Sequence, residues 1–140
     1  MELCFMKKAD NYASSLDVLR TADFSEAQEN EIYRMGVIGQ FNLTFELAWK
    51  ALQAVLRLHG IQADTGSPRE ILKLGYQTGF LQDAAVWLTM LRKRNTSIHI
   101  YDEDEADELV LMIRDSFLPA FSELEATLQE KIREADQQWD

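Results

Sequence analysis

Cysteine is almost missing from this 140-residue chain. Cys4 stands alone, so an internal disulfide and a thiolate metal site are both excluded. That pattern fits a reducing compartment, and a cytoplasmic location is the expectation. Proline occurs twice and histidine twice, and alternating strand patterns are scarce. No run approaches the roughly 18 apolar residues of a membrane span. The start, Met1 to Lys8, has no long apolar stretch behind a basic one, so no signal peptide is expected. Basic residues are in deficit, with 14 Lys and Arg against 24 Asp and Glu for a net charge of −10. This argues against non-specific nucleic-acid binding, which is driven by neutralising phosphates. Any contact with RNA has to be local, and the one dense basic cluster is Arg92-Lys93-Arg94.

What remains is a globular composition, 46% hydrophobic and 27% charged. One domain over residues 1–140 is expected, large enough for a continuous core. The periodicity predicts an all-α fold of five helical segments. The first runs roughly from Lys8 to Arg20. The second starts at Ser25-Glu26-Ala27-Gln28, a capping-box pattern with Ser25 as cap, and ends at Gly60. Within it Ile38, Phe41, Phe45, Ala48, Leu52 and Val55 recur at alternating steps of three and four, the stripe of a bundle helix. Gly36 and Gly39 weaken its start or let another helix come close. The third opens at Ser67-Pro68-Arg69-Glu70 and closes at Gly79. The fourth follows Asp83 towards Arg94. The fifth starts near Asp102 with the stripe Ala106, Leu109, Ile113, Phe117, Ala120, Leu124 and Leu128, and Pro119 should kink or split it. Two long helices with shorter ones and short loops predict an antiparallel four-helix up-and-down bundle with an additional short helix.

One segment combines three chemistries where the fourth helix runs out: Arg94, Asn95, Thr96, Ser97, Ile98, His99, Ile100 and Tyr101. Arginine holds phosphate with a rigid fork of donors, and histidine shuttles protons near neutral pH. The tyrosine hydroxyl can be modified. On a regular helix, Arg94 and His99 would stand about 140° apart. The helix must therefore end or distort between them, or a dimer must share the site. Asn95, Thr96 and Ser97 are poor helix-interior residues and favour an ending. The run Asp102-Glu103-Asp104-Glu105 reads as carboxylates in the first turn of a helix, not as a metal site. Trp49 and Trp87 read as core aromatics, Glu46 and Lys50 as a modest i,i+4 surface pair that could instead face the cleft, and His59 as a residue suited to a helix C-terminus.

Three groups of residues together resemble a known family: Phe45-Glu46-Leu47-Ala48-Trp49-Lys50, then Ser67-Pro68-Arg69-Glu70, then Trp87 followed by Arg94-Asn95-x3-His99-x-Tyr101-Asp102-Glu103. They are similar to the HEPN proteins and, within them, to the nucleotidyltransferase substrate-binding branch, from about Ile32 to Leu124. The resemblance implies a homodimer whose Arg/His motifs face one cleft, and a small nucleotidyltransferase of the minimal (MNT) type as partner. It implies a toxin–antitoxin pair in which the helical protein is a metal-independent ribonuclease, with RNA as substrate and no cofactor. Carried over, Arg94 and His99 become the catalytic pair, Asn95 the family's Asn beside the Arg, and Tyr101 the acceptor of AMP. The rival expectation is a non-catalytic subunit that offers substrate or nucleotide to the nucleotidyltransferase.

Overall fold

The computed structural model describes residues 2–99 and 102–139. Seven α-helices order the described residues: α1 Glu2–Arg20, α2 Phe24–Glu29, α3 Glu31–Leu58, α4 Pro68–Gln77, α5 Ala84–Thr96, α6 Glu103–Met112 and α7 Leu118–Trp139. A 3-10 turn, Ser97–His99, follows α5, and a π-helical turn, Ile113–Phe117, joins α6 to α7. Among the described residues there is no strand, and no helix is long and apolar enough to cross a membrane.

Four rods make the bundle: α1, α3, α5, and α6 with α7. Their contacts give the directions. Ser15 meets Thr44 while the Asp23 N–H, just past the end of α1, donates to the Tyr33 hydroxyl near the start of α3, so α1 runs against α3. Asn42 reaches Ser97 and Glu46 reaches Arg94, so α5 also runs against α3. Arg34 pairs with Asp107 and His59 bonds Lys131, so the last rod runs parallel to α3. This is the expected up-and-down bundle, with two short helices, α2 and α4, where one was expected.

The core follows the stripes. Ile38, Phe41, Phe45, Ala48, Leu52 and Val55 are all buried. Phe41 stacks on Phe117 at 5.2 Å, and Trp87 meets Phe121 edge-on at 5.5 Å. Each of these buried aromatics contributes roughly 1.5–3 kcal/mol by leaving water, and they come from α3, α5 and the last rod together. Tyr12 is buried too, and its hydroxyl donates to the Phe121 carbonyl at 2.6 Å.

Local signals set most of the ends. Ser67 caps α4 as expected, and Asp83 and Asp102, where the next helices were expected to begin, cap α5 and α6 through their side chains. Gly60 and Gly79 take positive φ after α3 and α4, a conformation that costs glycine nothing.

Three expectations need correction. The first helix starts at Glu2, before Lys8. The second expected helix is two: Asn30 is extended, ends α2, and caps α3 by accepting from the Tyr33 N–H at 2.9 Å. Ser25 is not a cap, because Asp23 already accepts the Glu26 N–H at 3.1 Å. Pro119 follows the joint that divides the last rod into α6 and α7, as expected, without ending the rod. Having no N–H and crowding the turn before it, it is preceded by a π turn, in which the Leu118 N–H reaches the Ile113 carbonyl. That extra residue rotates the following stripe, so Phe121 rather than Ala120 enters the core.

Candidate functional site at the end of α5

The expected break between Arg94 and His99 is present. The α-helix stops at Thr96, and Ser97–His99 continues as a 3-10 turn. Its anchor is on α3. The Asn42 side-chain amide donates to Ser97 Oγ at 2.9 Å, and Ser97 Oγ donates to the Arg94 carbonyl at 2.9 Å. Ser97 is buried, so this pin between α3 and the end of α5 is sheltered from water. The second polar atom of Asn42, Oδ1, is buried and accepts no hydrogen bond among the described residues. His99 lies beyond the pin and is exposed, and so is Asn95. Tyr101, the expected modification site, lies outside the described residues.

Arg94 does not stand open. Its Nη2 donates to Glu46 Oε2 at 2.6 Å, and its guanidinium lies 6.0 Å from the centroid of the Phe45 ring. About a third of the arginine side chain remains accessible. Glu46 is the hub: Oε2 also accepts from Trp49 Nε1 at 3.0 Å, and Oε1 faces Lys50 Nζ at 3.3 Å. Partial burial works against its charge, yet the donors from Trp49, Lys50 and Arg94 outweigh it and hold the carboxyl below the usual range. Glu46 is thus an anion held by two cations and an indole N–H.

Glu46 and Lys50 are therefore more than a surface pair; they belong to the site. Asn42, Glu46, Trp49 and Lys50 fall at i, i+4, i+7 and i+8 and share one flank of α3, a spacing legible in sequence. Their meeting with α5 is not, because it depends on how two helices cross. Asn42 and Ser97 carried no chemical signal of their own. Trp87 is core, as expected, and Trp49 is buried with its N–H spent on Glu46. His59 closes α3 by bonding the Lys131 carbonyl at 2.7 Å and packing edge-on against Phe80.

Among the described residues no hydrogen bond or ion pair joins Arg94 to His99. The two are neighbours at one end of α5, on either side of the helix break. Nor do any three His, Cys, Asp or Glu side chains among the described residues gather so as to hold a metal ion. The chemistry on offer is a clamped guanidinium, a carboxylate beside it, and an exposed imidazole on the following turn.

An all-helical bundle carrying such a cation–carboxylate site defines a class of small helical domain, and comparison narrows it. The family model described as nucleotidyltransferase substrate binding protein like matches residues 7–130, and the chain belongs to that family. A crystal structure of a Thermus thermophilus protein is similar, with a TM-score of 0.65 and 29% identity over 87% of this chain and 98% of that one. No match is found among the curated proteins.

Proposed function

We propose that this chain is the toxin subunit of a toxin–antitoxin pair, a HEPN-type endoribonuclease that works without metal and is neutralised by a small nucleotidyltransferase. The observation that carries the reading is the helix break at Ser97. It sets an exposed imidazole one short turn beyond a partly accessible guanidinium. In such a reaction the RNA 2′-oxygen attacks the adjacent phosphorus and the bond to the 5′-oxygen breaks, leaving a 2′,3′-cyclic phosphate and a 5′-hydroxyl. A neutral His99 accepts the 2′-hydroxyl proton, and a protonated imidazole returns one to the leaving oxygen. Arg94 holds the phosphate as negative charge grows.

One chain supplies one imidazole, so the two proton transfers call for two copies. A homodimer has a surface that suits it: Ile32, Met35, Gly36, Gly39 and Leu43 lie exposed along one strip of α3 that carries no charge. A Cβ added at Gly36 or Gly39 would meet nothing within 4 Å, so among the described residues nothing lies over those two positions. The nucleotidyltransferase would silence the enzyme by AMP transfer, in which the Tyr101 oxygen attacks the α-phosphorus of ATP and pyrophosphate leaves. The new phosphodiester would then compete for Arg94 and fill the space beside His99.

Growth after induction of this chain alone, wild type beside His99→Ala, tests the reading, with cellular RNA examined on a gel. Arrest with RNA cleavage in the wild type only is expected, as is a gain of AMP mass on co-expression with the nucleotidyltransferase that Tyr101→Phe abolishes. Normal growth and intact RNA in both, with soluble dimeric protein, would move the assignment to a non-catalytic subunit that presents substrate or nucleotide to the nucleotidyltransferase. The net charge of −10 favours that second reading, because a presenting subunit need not attract RNA.

A further inference from the structure

We infer that Glu46 is a built-in competitor for the anion at Arg94: its carboxylate occupies the guanidinium position that a phosphate would take. The inference rests on Arg94 being the phosphate holder in the function proposed above. Three observations lead to it. First, Glu46 Oε2 takes Arg94 Nη2 at 2.6 Å, the short distance of a charge-assisted bond. A phosphodiester seated in the same fork would lie against this carboxylate, and two anions at that separation repel each other strongly where water is partly excluded.

Second, Glu46 does not depend on Arg94. If the arginine leaves, Trp49 Nε1 still donates to Oε2 at 3.0 Å and Lys50 Nζ remains 3.3 Å from Oε1. Release therefore strands no buried carboxylate, which is the step that makes most buried ion pairs costly to open. Third, Arg94 can move. Roughly a third of its side chain faces solvent, and the helix that carries it ends two residues later. The contact works as a latch that opens only for an anion holding Arg94 better than Glu46 does. It gives an acidic protein a way to refuse weak, non-specific phosphate contacts.

A positioning role makes the opposite prediction. If Glu46 aimed Arg94 at the phosphate, removing its charge would weaken phosphate binding. The measurement is a titration of the Arg94 Nε–H resonance with inorganic phosphate, in the full-length wild type and in Glu46→Gln. Glutamine keeps the shape and a hydrogen-bond acceptor for Trp49 but removes the charge. The expected result is half-saturation at a phosphate concentration at least about threefold lower in Glu46→Gln, as the loss of a partly exposed ion pair implies. Glu46→Ala should shift in the same direction, and an unmoved Trp87 indole resonance would show that the bundle is intact. Equal or weaker binding in both variants would overturn the latch, as would no response of Arg94 to phosphate in any form. The readout involves no RNA, so the latch and the ribonuclease assignment can fail separately.

Discussion

Arg34 and Arg94 are the same residue type put to opposite uses. Arg34, on α3, is 3% exposed. Its Nε donates to the Ala27 carbonyl at 2.9 Å and its Nη2 to the Gln28 carbonyl at 2.8 Å, which ties down the end of α2. The same guanidinium faces Asp107 at 2.8 Å and Glu103 at 3.5 Å on α6. Three helices meet on one side chain, and α6 is held where it begins. Arg94 has one short ion pair and remains about a third exposed. A saturated, buried cation is a rivet, whereas a half-satisfied one at a helix end can exchange partners. Residue type does not separate the two. Burial and the number of committed donors do.

The sharpest way to break that contrast is to remove each charge while keeping the bulk. Arg34→Met leaves two carbonyls and two carboxylates without their cation. Asp107 Oδ1, already buried and off the line of the Nε–H, would lose its counter-charge among the described residues. A loss of about 3–5 kcal/mol is expected, a large share of a typical domain's stability. Arg94→Met should cost under about 1 kcal/mol, since its pair with Glu46 is partly solvated. Urea unfolding midpoints measure both. Comparable losses in the two variants would mean that Arg94 is a second rivet, and the candidate site would lose its main argument.

The same contrast explains what could be read from sequence. Stripes such as Phe41-Phe45-Leu52 were legible because they repeat with the helix period. Ser67-Pro68 and Asp102 were legible because caps act locally. The break at Ser97 was legible because Asn95, Thr96 and Ser97 compete for backbone hydrogen bonds. Arg34 was not, because its four partners lie on α2 and α6, and only tertiary packing gathers them. Glu46 was half legible: its pairing with Lys50 follows from spacing, and its grip on Arg94 does not. Asn30 was hidden by an imitation. Ser25-x-x-Gln28 has the form of a helix start, but Asp23 stands two residues earlier and takes the cap, leaving Asn30 free to begin α3.

That hidden joint offers a middle-sized test. The extended backbone at Asn30 turns α2 so that its terminal carbonyls meet Arg34, and the Asn30 side chain satisfies the Tyr33 N–H. Asn30→Ala should cost about 1 kcal/mol by loss of the cap. The cost should shrink in an Arg34→Met background, where the α2 carbonyls no longer have that partner to meet. A double-mutant cycle reads the coupling. Strict additivity would show that the cap and the rivet act independently, and that Arg34 holds α6 alone.

The smallest effect is the most specific to the candidate site. Because Glu46 ionises more readily folded than unfolded, it contributes stability above the carboxylate range of the unfolded chain, near pH 4.3. That contribution is lost as pH falls through the lower folded value. Partial solvation limits it to a few tenths of a kcal/mol, up to about 1. The other carboxylates titrate alike in wild type and Glu46→Gln, so the difference between their stability–pH curves isolates this one group. Wild type should be the steeper of the two below about pH 4, with the curves running parallel near neutrality. The difference should shrink when both proteins also carry Arg94→Met and Lys50→Met, since the two cations that favour the charged form are then gone and the Trp49 N–H alone remains to favour it. Parallel curves across the whole acid range would mean that Glu46 is not held as an anion in solution. The carboxylate would then have no grip with which to restrain Arg94.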